Sequence, residues 1–304
     1  MLLTLVFALA LFAFVLSMSD LPRVLGRLRR LQASAILGAV ALAWAYWALK
    51  AVQLKWLLGR LGIGLSWRSL LRAYAVGELG VTLPTGVYMQ NYVLRRQHGE
   101  DFARSAAATT ASTLSETALV ALLLFWLKIP GWQWMRPALA GLTLLSLLLG
   151  AAVFHGYPRI ASLWRGRDGS FLARLAQGFA RMSEALRALS SPVVVVSTLP
   201  LSSAYLAALV GAFRLLAHGV GLAGVTFAQA ATIYGVSLGA ALLLGGVLSQ
   251  WGLVEAVGSL AAQAWGYSFT QGLSMVLAFR LVWTGAIWLI SAPFAFGAWR
   301  RIAD

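Results

Sequence analysis

Cysteine is absent from this sequence of 304 residues, and histidine and acidic residues are scarce, with 3 and 9 copies. Without cysteine there is no disulfide, no thiolate nucleophile and no zinc site built on thiolates. The three histidines lie far apart at the ends of predicted helices, without metal-ligand spacing. No glycine-rich loop of a nucleotide-binding type is present. We therefore expect a protein that is not an enzyme, with no catalytic residues, no metal and no cofactor.

Charge is scarce as well, since only 11% of the residues are charged and 60% are hydrophobic, with a mean hydropathy of +0.80. Soluble proteins carry about 25% charged residues, so a soluble fold is excluded. The charge that exists is basic, with a formal net charge of +15. Nothing outside the apolar segments is large enough for a nucleic-acid-binding domain. We expect anionic phospholipid headgroups as partners and no nucleic acid.

Apolar stretches of about 20 residues, enough to cross the roughly 30 Å hydrocarbon core, occur six times. They cover residues 1–19, 32–54, 105–127, 137–156, 192–218 and 269–298. The first has neither a preceding positive region nor a clear cleavage site, so we interpret it as a retained span. Two more stretches, 66–97 and 225–267, are apolar but interrupted. The sequence predicts an all-α polytopic membrane protein with about six full spans and two broken or re-entrant helical hairpins.

Glycine, proline and polar residues interrupt these two stretches. The residues predicted to break the helices or act as hinges are Pro84, Gly86, Gly245, Gly246 and Gly252. A break frees backbone N–H and C=O groups, which lipid cannot satisfy, so it is tolerated only where protein or a water-filled cavity surrounds it. The two breaks together predict a polar site inside the membrane.

The two interrupted stretches also resemble each other. At an offset of 160 residues, five of fourteen positions are identical. The aligned pairs are Tyr74 with Tyr234, Val76 with Val236, Leu83 with Leu243, Gly86 with Gly246 and Val87 with Val247. Biased composition can also produce such a match. Corresponding breaks in two halves are typical of transporter repeats. We therefore expect one membrane domain, 1–304, with an inverted repeat of halves 32–156 and 192–298 joined by a connector, 157–191.

Topology is not decided by the distribution of Lys and Arg. If 66–97 crosses the membrane, the cytoplasmic basic residues are Arg23, Arg27, Arg29 and Arg30. If it is a hairpin, they are instead Lys55, Arg60, Arg68 and Arg72. The positive-inside rule gives the two models equal support. Hairpins entering from opposite faces are favoured because an inverted repeat generates them.

The connector is the one long polar segment. Arginines occupy the other faces of this segment. The apolar residues that recur at helical spacing are Phe171, Leu175, Phe179, Met182, Leu186 and Leu189. The pattern fits a cytoplasmic amphipathic helix that lies among anionic headgroups. It fits a connecting helix packed on the bundle equally well.

Ionisable residues inside apolar segments are the best candidates for function. A charge at the bilayer centre costs about 2.5–3.5 kcal/mol on insertion scales, so such residues usually mark a pathway or a paired core site. The candidates for substrate binding are Arg280, Glu255, Glu116, Glu78, Gln250 and Asn91. The alternative is a bridge from Arg280 to Glu116 or Glu255 that only locks the two halves together. Lys50 and Lys55, near a predicted span end, are expected to snorkel towards the headgroups.

One motif, Gly235-Val236-Ser237-Leu238-Gly239, matches the nucleophile elbow of α/β-hydrolases. No histidine follows it, so the triad order of that fold cannot be completed. The glycines at 235 and 239 also fit the small-residue spacing that lets helices pack closely. Packing is the favoured interpretation.

The stretch Gly252-Leu253-Val254-Glu255-Ala256, preceded by Gly245-Gly246 and followed by Arg280 in the next span, resembles the transmembrane flippase region of lysylphosphatidylglycerol synthases and the wider flippase-like family. The first half agrees with the family pattern in outline at Pro84, at Tyr92-Val93-Leu94-Arg95 and at Glu116. The resemblance covers residues from about 32 to 298. The sequence departs from the family pattern at Ser249-Gln250-Trp251 and at Thr117. The full synthases carry a soluble aminoacyl-transfer domain, whereas this sequence ends at Asp304. The resemblance implies lipid translocation without aminoacylation.

We therefore expect a bacterial inner-membrane flippase or transporter that moves a phospholipid through a polar midplane cavity. In this hypothesis Arg280 holds a lipid phosphate, while Glu255 and Glu116 hold a cationic headgroup moiety. A non-transporting scaffold for envelope-lipid or glycan enzymes is the alternative, and the basic connector favours it. A transferase using Glu78 or Asp101 has no supporting motif. Homo-oligomers or an envelope-biosynthesis partner fit any of these.

Overall fold

The computed structural model describes residues 10, 11, 13–81, 86–126, 129–131, 133, 135–162, 171–244 and 250–303, and all regular structure in them is helical. A single 3₁₀ turn, Gly86–Tyr88, precedes the fourth helix. The α-helices are α1 Leu21–Arg29, α2 Ala33–Arg60, α3 Trp67–Gly80, α4 Met89–His98, α5 Phe102–Trp126, α6 Met135–Ser162, α7 Phe171–Leu189, α8 Pro192–Gly219, α9 Phe227–Leu244, α10 Gln250–Gln263 and α11 Phe269–Ala303. The prediction of an all-α fold is confirmed for the described residues.

Four helices are long and apolar enough to cross a membrane: α2, α5, α8 and the part of α11 from Phe269 to Ala298. They expose large apolar side chains, such as Leu37, Trp126 and Leu289, each at least 70% exposed, as lipid contact requires. The predicted span 137–156 lies in α6, of which Ala140–Ala152 is the apolar stretch among the described residues. The predicted span 1–19 lies largely outside the described residues. Four of the six predicted spans therefore correspond to helices of membrane-spanning length and composition.

Local sequence explains where several helices begin. Thr226 and Gln229 cap each other before α9, and Ser268 and Gln271 do the same before α11. In such a capping box, a hydroxyl accepts one free backbone N–H and the glutamine accepts another. Ser66 accepts the Ser69 N–H at the start of α3 over 3.2 Å.

The chain divides into two compact units. Unit 1 comprises residues 1–47, 117–144 and 204–289, and unit 2 comprises 48–116, 145–203 and 290–304. Each unit contains one of the interrupted segments, since α9 and α10 belong to unit 1 and α3 and α4 belong to unit 2. The predicted halves, 32–156 and 192–298, are defined by sequence similarity, and the inverted repeat remains a prediction.

In unit 2, α3 and α4 pack against each other through glycines. A Cβ atom on Gly77 would lie 3.0 Å from the side chain of Gln90, and one on Gly86 would overlap the carbonyl group of Gly80. The backbones at Gly80 and Gly86 approach too closely for any side chain at position 86. Gly86 thus packs closely against Gly80, while its role as a helix break or hinge stays a prediction. Pro84 lies outside the described residues.

The two ends of the segment formed by α3 and α4 meet the same end of α11. Near the start of α3, Arg72 lies beside Gly297, where an added Cβ would be 3.3 Å from the arginine Nε. At the end of α4, the Gln97 amide donates to the Ala298 carbonyl over 2.9 Å. Arg104 of α5 donates to the carbonyl of Leu61, just after α2. These contacts bring together both ends of the interrupted segment in unit 2.

In unit 1, α9 and α10 also pack against each other. A Cβ on Gly258 would lie 2.7 Å from both the Ser237 hydroxyl and a methyl group of Val276, so α9, α10 and α11 meet at this glycine. Added Cβ atoms on Gly235 and Gly239 would approach Leu124 of α5 to 3.4 and 3.2 Å. The packing interpretation of this glycine pair is confirmed.

The connector forms α7, as its periodicity predicts. Leu186 and Leu189 are buried in unit 2, whereas Leu175 and Phe179 are 43% and 45% exposed. An ion pair of 2.8 Å joins Arg181 to Asp101, whose carboxylate also accepts the Ala103 N–H at the start of α5. The helix is therefore packed on the protein at its C-terminal half and exposes apolar side chains at its N-terminal half.

Candidate functional site

The first turn of α10 is built around Gly252 and Glu255. Gly252 has a φ of 85°, in the left-handed region that favours glycine. Its N–H donates to Oε2 of Glu255 over 2.9 Å. Glu255 reaches back three residues to this N–H, as the glutamate of a capping box does, and the helix dipole adds to its stabilisation. Glu255 therefore has a stable partner within its own helix.

Arg280 of α11 faces the other oxygen of this carboxylate. Its Nε lies 3.4 Å from Glu255 Oε1, and the two side chains are 17% and 8% exposed. Charge-assisted hydrogen bonds of this type are usually 2.7–2.9 Å long. The pair is buried but not tightly closed. We call it the unit 1 ion pair.

Close contact between α10 and α11 holds this pair in place. An added Cβ on Gly272 of α11 would lie 2.8 Å from the Cα of Ser259 in α10. Small residues at such positions let helix backbones approach in lipid. The glycines therefore set the distance between Glu255 and Arg280, which lie on the two helices.

A second ion pair lies in unit 2. Lys50 Nζ of α2 donates to Glu116 Oε2 of α5 over 3.0 Å, with side-chain exposures of 18% and 11%. Glu78 of α3, 9% exposed, lies close enough for its carboxyl to interact electrostatically with both groups. We call Lys50, Glu78 and Glu116 the unit 2 cluster. It combines two carboxyl groups with one ammonium group.

Amide and hydroxyl groups join α4 to α5 in the same unit. The side-chain amides of Gln90 and Asn91 both donate to the Thr109 hydroxyl, over 2.7 and 3.1 Å. The hydroxyls of Tyr88 and Thr110 lie 3.0 Å apart. Buried polar groups without partners are costly, and here they satisfy one another across two helices. Asn91, predicted to bind substrate, takes part in helix packing in this structure.

A third polar contact joins α2, α5 and α8. Gln53 is fully buried; its amide donates to the Ser202 hydroxyl over 2.7 Å and accepts from the Ser112 hydroxyl over 2.8 Å. Such interhelical hydrogen bonds contribute about 0.6 kcal/mol each in membranes. The contact joins the parts of α2, α5 and α8 that belong to unit 2.

Within each unit, the structure gives predicted site residues a partner. Arg280 and Glu255 form one of the two bridges considered from the sequence. Glu116 instead pairs with Lys50, beside Glu78. Gln250 is the first residue of α10, and its side chain lies outside the described part of the chain. Gly245 and Gly246 lie outside it altogether.

Lys50 was expected to snorkel, and in the structure its ammonium group pairs with Glu116. The apolar stretch predicted a helix ending near residue 54, and α2 continues to Arg60. Lys55 donates to the Leu65 carbonyl over 2.6 Å. The hydroxyl and amide partners, such as Thr109 and Ser202, were missed because their types are common in helices.

Ser237, the serine of the nucleophile-elbow match, lies within α9 and is 1% exposed. Its hydroxyl donates to the Ile233 carbonyl one turn earlier over 2.7 Å. Serine in an apolar helix commonly satisfies its hydroxyl in this way. The residue therefore has a structural environment, as the packing interpretation predicts.

Apolar helices of membrane-spanning length, with buried ion pairs between them, define a polytopic α-helical membrane protein. The sequence matches the family model described as the lysylphosphatidylglycerol synthase TM region over residues 1–291, and the chain belongs to this family. It is an integral membrane protein of a family associated with lipid-related functions. The resemblance identified from Gly252–Ala256 and Arg280 is thus confirmed. No curated protein matches the sequence.

Proposed function

We propose that the protein moves a phospholipid across the bacterial inner membrane and that the unit 1 ion pair holds the lipid phosphate during transfer. The observation that carries the proposal is the buried, long contact between Arg280 and Glu255. Membership in the lysylphosphatidylglycerol synthase TM region family supports a lipid as the substrate.

Arg280 suits a phosphate because a guanidinium group offers several N–H donors in one plane. A phosphate that enters the site takes over the arginine, and Glu255 then loses a partner. Its carboxylate keeps the hydrogen bond from Gly252 and the favourable end of the α10 dipole. The cost of exchange is therefore lower than for a carboxylate stabilised by the arginine alone.

The unit 2 cluster has the opposite character. The lysine pairs with Glu116, and the Glu78 carboxyl lies close to both groups, so the cluster offers carboxyl oxygens that can accept hydrogen bonds from an ammonium group. We propose that it contacts the cationic part of a headgroup, such as an ammonium group. In this proposal Glu78 and Glu116 favour headgroups that carry a positive charge.

Leaflet exchange in reconstituted vesicles tests the proposal. Fluorescent phosphatidylglycerol is added to vesicles with purified protein, and dithionite bleaches the outer-leaflet label over time. Arg280→Lys and Glu255→Gln are compared with Arg23→Gln, a control at a side chain that is 80% exposed. We expect both site variants to slow exchange and the control to match the original protein. Equal rates in all four proteins would exclude this site from transport.

The basic surface of α7 favours a second function, a scaffold for enzymes of envelope-lipid or glycan synthesis. Arg174, Arg181 and Arg187 are all exposed. A scaffold would lose its effect in cells when these arginines become glutamine, while Arg280→Lys would be tolerated. Transport predicts the reverse pattern of loss.

A further inference from the structure

The apolar stripe of α7 extends beyond the protein surface that covers it. With 100° per residue, Leu175, Phe179, Met182, Leu186 and Leu189 project within about 80° of one another, on one face. At the C-terminal end of the stripe, Leu186 and Leu189 are 6% and 3% exposed. Leu175 and Phe179, on the same face, are 43% and 45% exposed. One continuous apolar face is therefore buried at its C-terminal end and nearly half exposed at Leu175 and Phe179.

The charges of α7 border this stripe on both sides. Arg174 and Arg181 project together, about 110° from its centre, and Arg187 projects about 120° to the other side. Glu184 lies opposite the stripe. All four side chains are exposed. Arginines that flank an exposed apolar face are typical of helices lying at the level of the headgroups.

We propose that the N-terminal half of α7 is an anchor in the membrane interface, with Leu175 and Phe179 below the headgroups and Arg174 and Arg181 on anionic lipid phosphates. The occupant of the exposed stripe is thus an anionic lipid surface. Charge complementarity supports this choice, because the described helix carries three arginines and one glutamate. An integral membrane protein also brings this surface within reach of the bilayer.

Arg181 has two partners in this arrangement. Its side chain is 58% exposed although it contacts Asp101 over 2.8 Å, so part of the guanidinium group remains available to a lipid phosphate. Asp101 also accepts the Ala103 N–H over 2.7 Å at the start of α5, the helix that carries Glu116. The anchor is therefore connected to a helix of the unit 2 cluster. It does not depend on the protein being a transporter.

Spin labelling tests the depth of the helix, and the absence of native cysteine makes single labels clean. A nitroxide is attached to Phe179→Cys and, as a matched control on the opposite face of the same helix, to Gln177→Cys. Both proteins are reconstituted in vesicles of phosphatidylglycerol and phosphatidylcholine. We expect the label at 179 to collide mainly with oxygen, which concentrates in lipid, and the label at 177 mainly with a water-soluble nickel chelate.

A second measurement tests the lipid charge. The fluorescence of bimane attached to Leu175→Cys is measured in vesicles that contain equal amounts of either spin-labelled phosphatidylglycerol or spin-labelled phosphatidylcholine, both of which quench it. We expect stronger quenching by the anionic lipid, and a preference that falls about fivefold with Arg174→Gln. Glu184→Gln, on the polar face, is the matched control and keeps the preference. Arg174 is chosen because Arg181→Gln would also remove the contact with Asp101.

Three outcomes would overturn the proposal. Equal access of the nickel chelate at positions 177 and 179 would show that the stripe faces water. Strong dipolar broadening between labels at 179, with little oxygen access, would show that a second copy of the chain covers the stripe. Equal quenching by the two lipids would leave an apolar contact but remove the anionic lipid from it, which also contradicts the proposal.

Discussion

The buried ion pairs of the two units differ in how well each member would tolerate losing its partner. In unit 1, Glu255 keeps a hydrogen bond from Gly252, and its distance to Arg280 is 3.4 Å. In unit 2, Lys50 lies 3.0 Å from Glu116 and also compensates Glu78. Charge balance therefore lets the first pair open, whereas the second depends on one lysine. The comparison indicates that the unit 1 ion pair opens more readily than the ion pair between Lys50 and Glu116.

The largest expected effect comes from removing that lysine. Lys50→Met leaves two carboxyl groups near each other in a buried site, and breaking a buried pair costs about 3–5 kcal/mol. Glu116→Gln leaves Lys50 with Glu78, so its cost should be clearly smaller. Thermal unfolding of the purified protein in detergent measures both. Equal destabilisation by the two variants would show that Glu78 does not share the lysine.

The glycines of the two helix pairs provide the next test. Gly86→Ala places a Cβ on the Gly80 carbonyl, and Gly258→Ala places one 2.7 Å from Ser237 and Val276. Overpacking of this kind typically costs about 1–3 kcal/mol, and we expect the larger loss at Gly86, where backbone must move. Gly59→Ala in α2 is the control, since nothing lies within 4 Å of its added Cβ. Unfolding that is unchanged in Gly86→Ala would contradict the close approach.

Topology is tested by cysteine accessibility, which distinguishes a crossing from a hairpin. Positions 62 and 99 mark the ends of the interrupted segment in unit 2, but both glycines have positive φ, at 74° and 69°. Gly64→Cys and His98→Cys avoid that strain. We predict that both react with a membrane-impermeant maleimide from the same side, because the two ends of the segment meet the same end of α11. Reaction from opposite sides would show that the segment crosses the membrane.

The ion pair between Arg181 and Asp101 should have the smallest effect on stability. Its side chains are 58% and 28% exposed, and exposed pairs contribute about 0.2–1 kcal/mol. Asp101→Asn keeps an oxygen to cap α5, so it removes the ion pair alone. Asp101→Ala also removes the cap, which adds about 1 kcal/mol. Unfolding curves of the two variants separate these contributions, and identical curves would show that the cap contributes nothing.

Composition and periodicity predicted the helical membrane fold and α7 because lipid exposure and amphipathic spacing act along one helix. They also identified Glu255 and Arg280, since charges in apolar segments are rare. The partner of Glu116 could not be predicted, because α2 extends six residues beyond the apolar stretch that ended at residue 54. Contacts such as Gln53 with Ser112 and Ser202 depend on how helices pack, which no local pattern encodes.

The central claim, that Arg280 handles the lipid phosphate, is tested most directly by comparing two reporter lipids. Leaflet exchange of fluorescent phosphatidylglycerol and of a phosphate-free fluorescent glucosylceramide is measured in the original protein and in Arg280→Gln. Losing charged hydrogen bonds of roughly 1.5–3 kcal/mol should slow phosphatidylglycerol exchange by about 10- to 150-fold, while the phosphate-free lipid is unaffected. An equal slowing of both lipids, or of neither, would contradict the account.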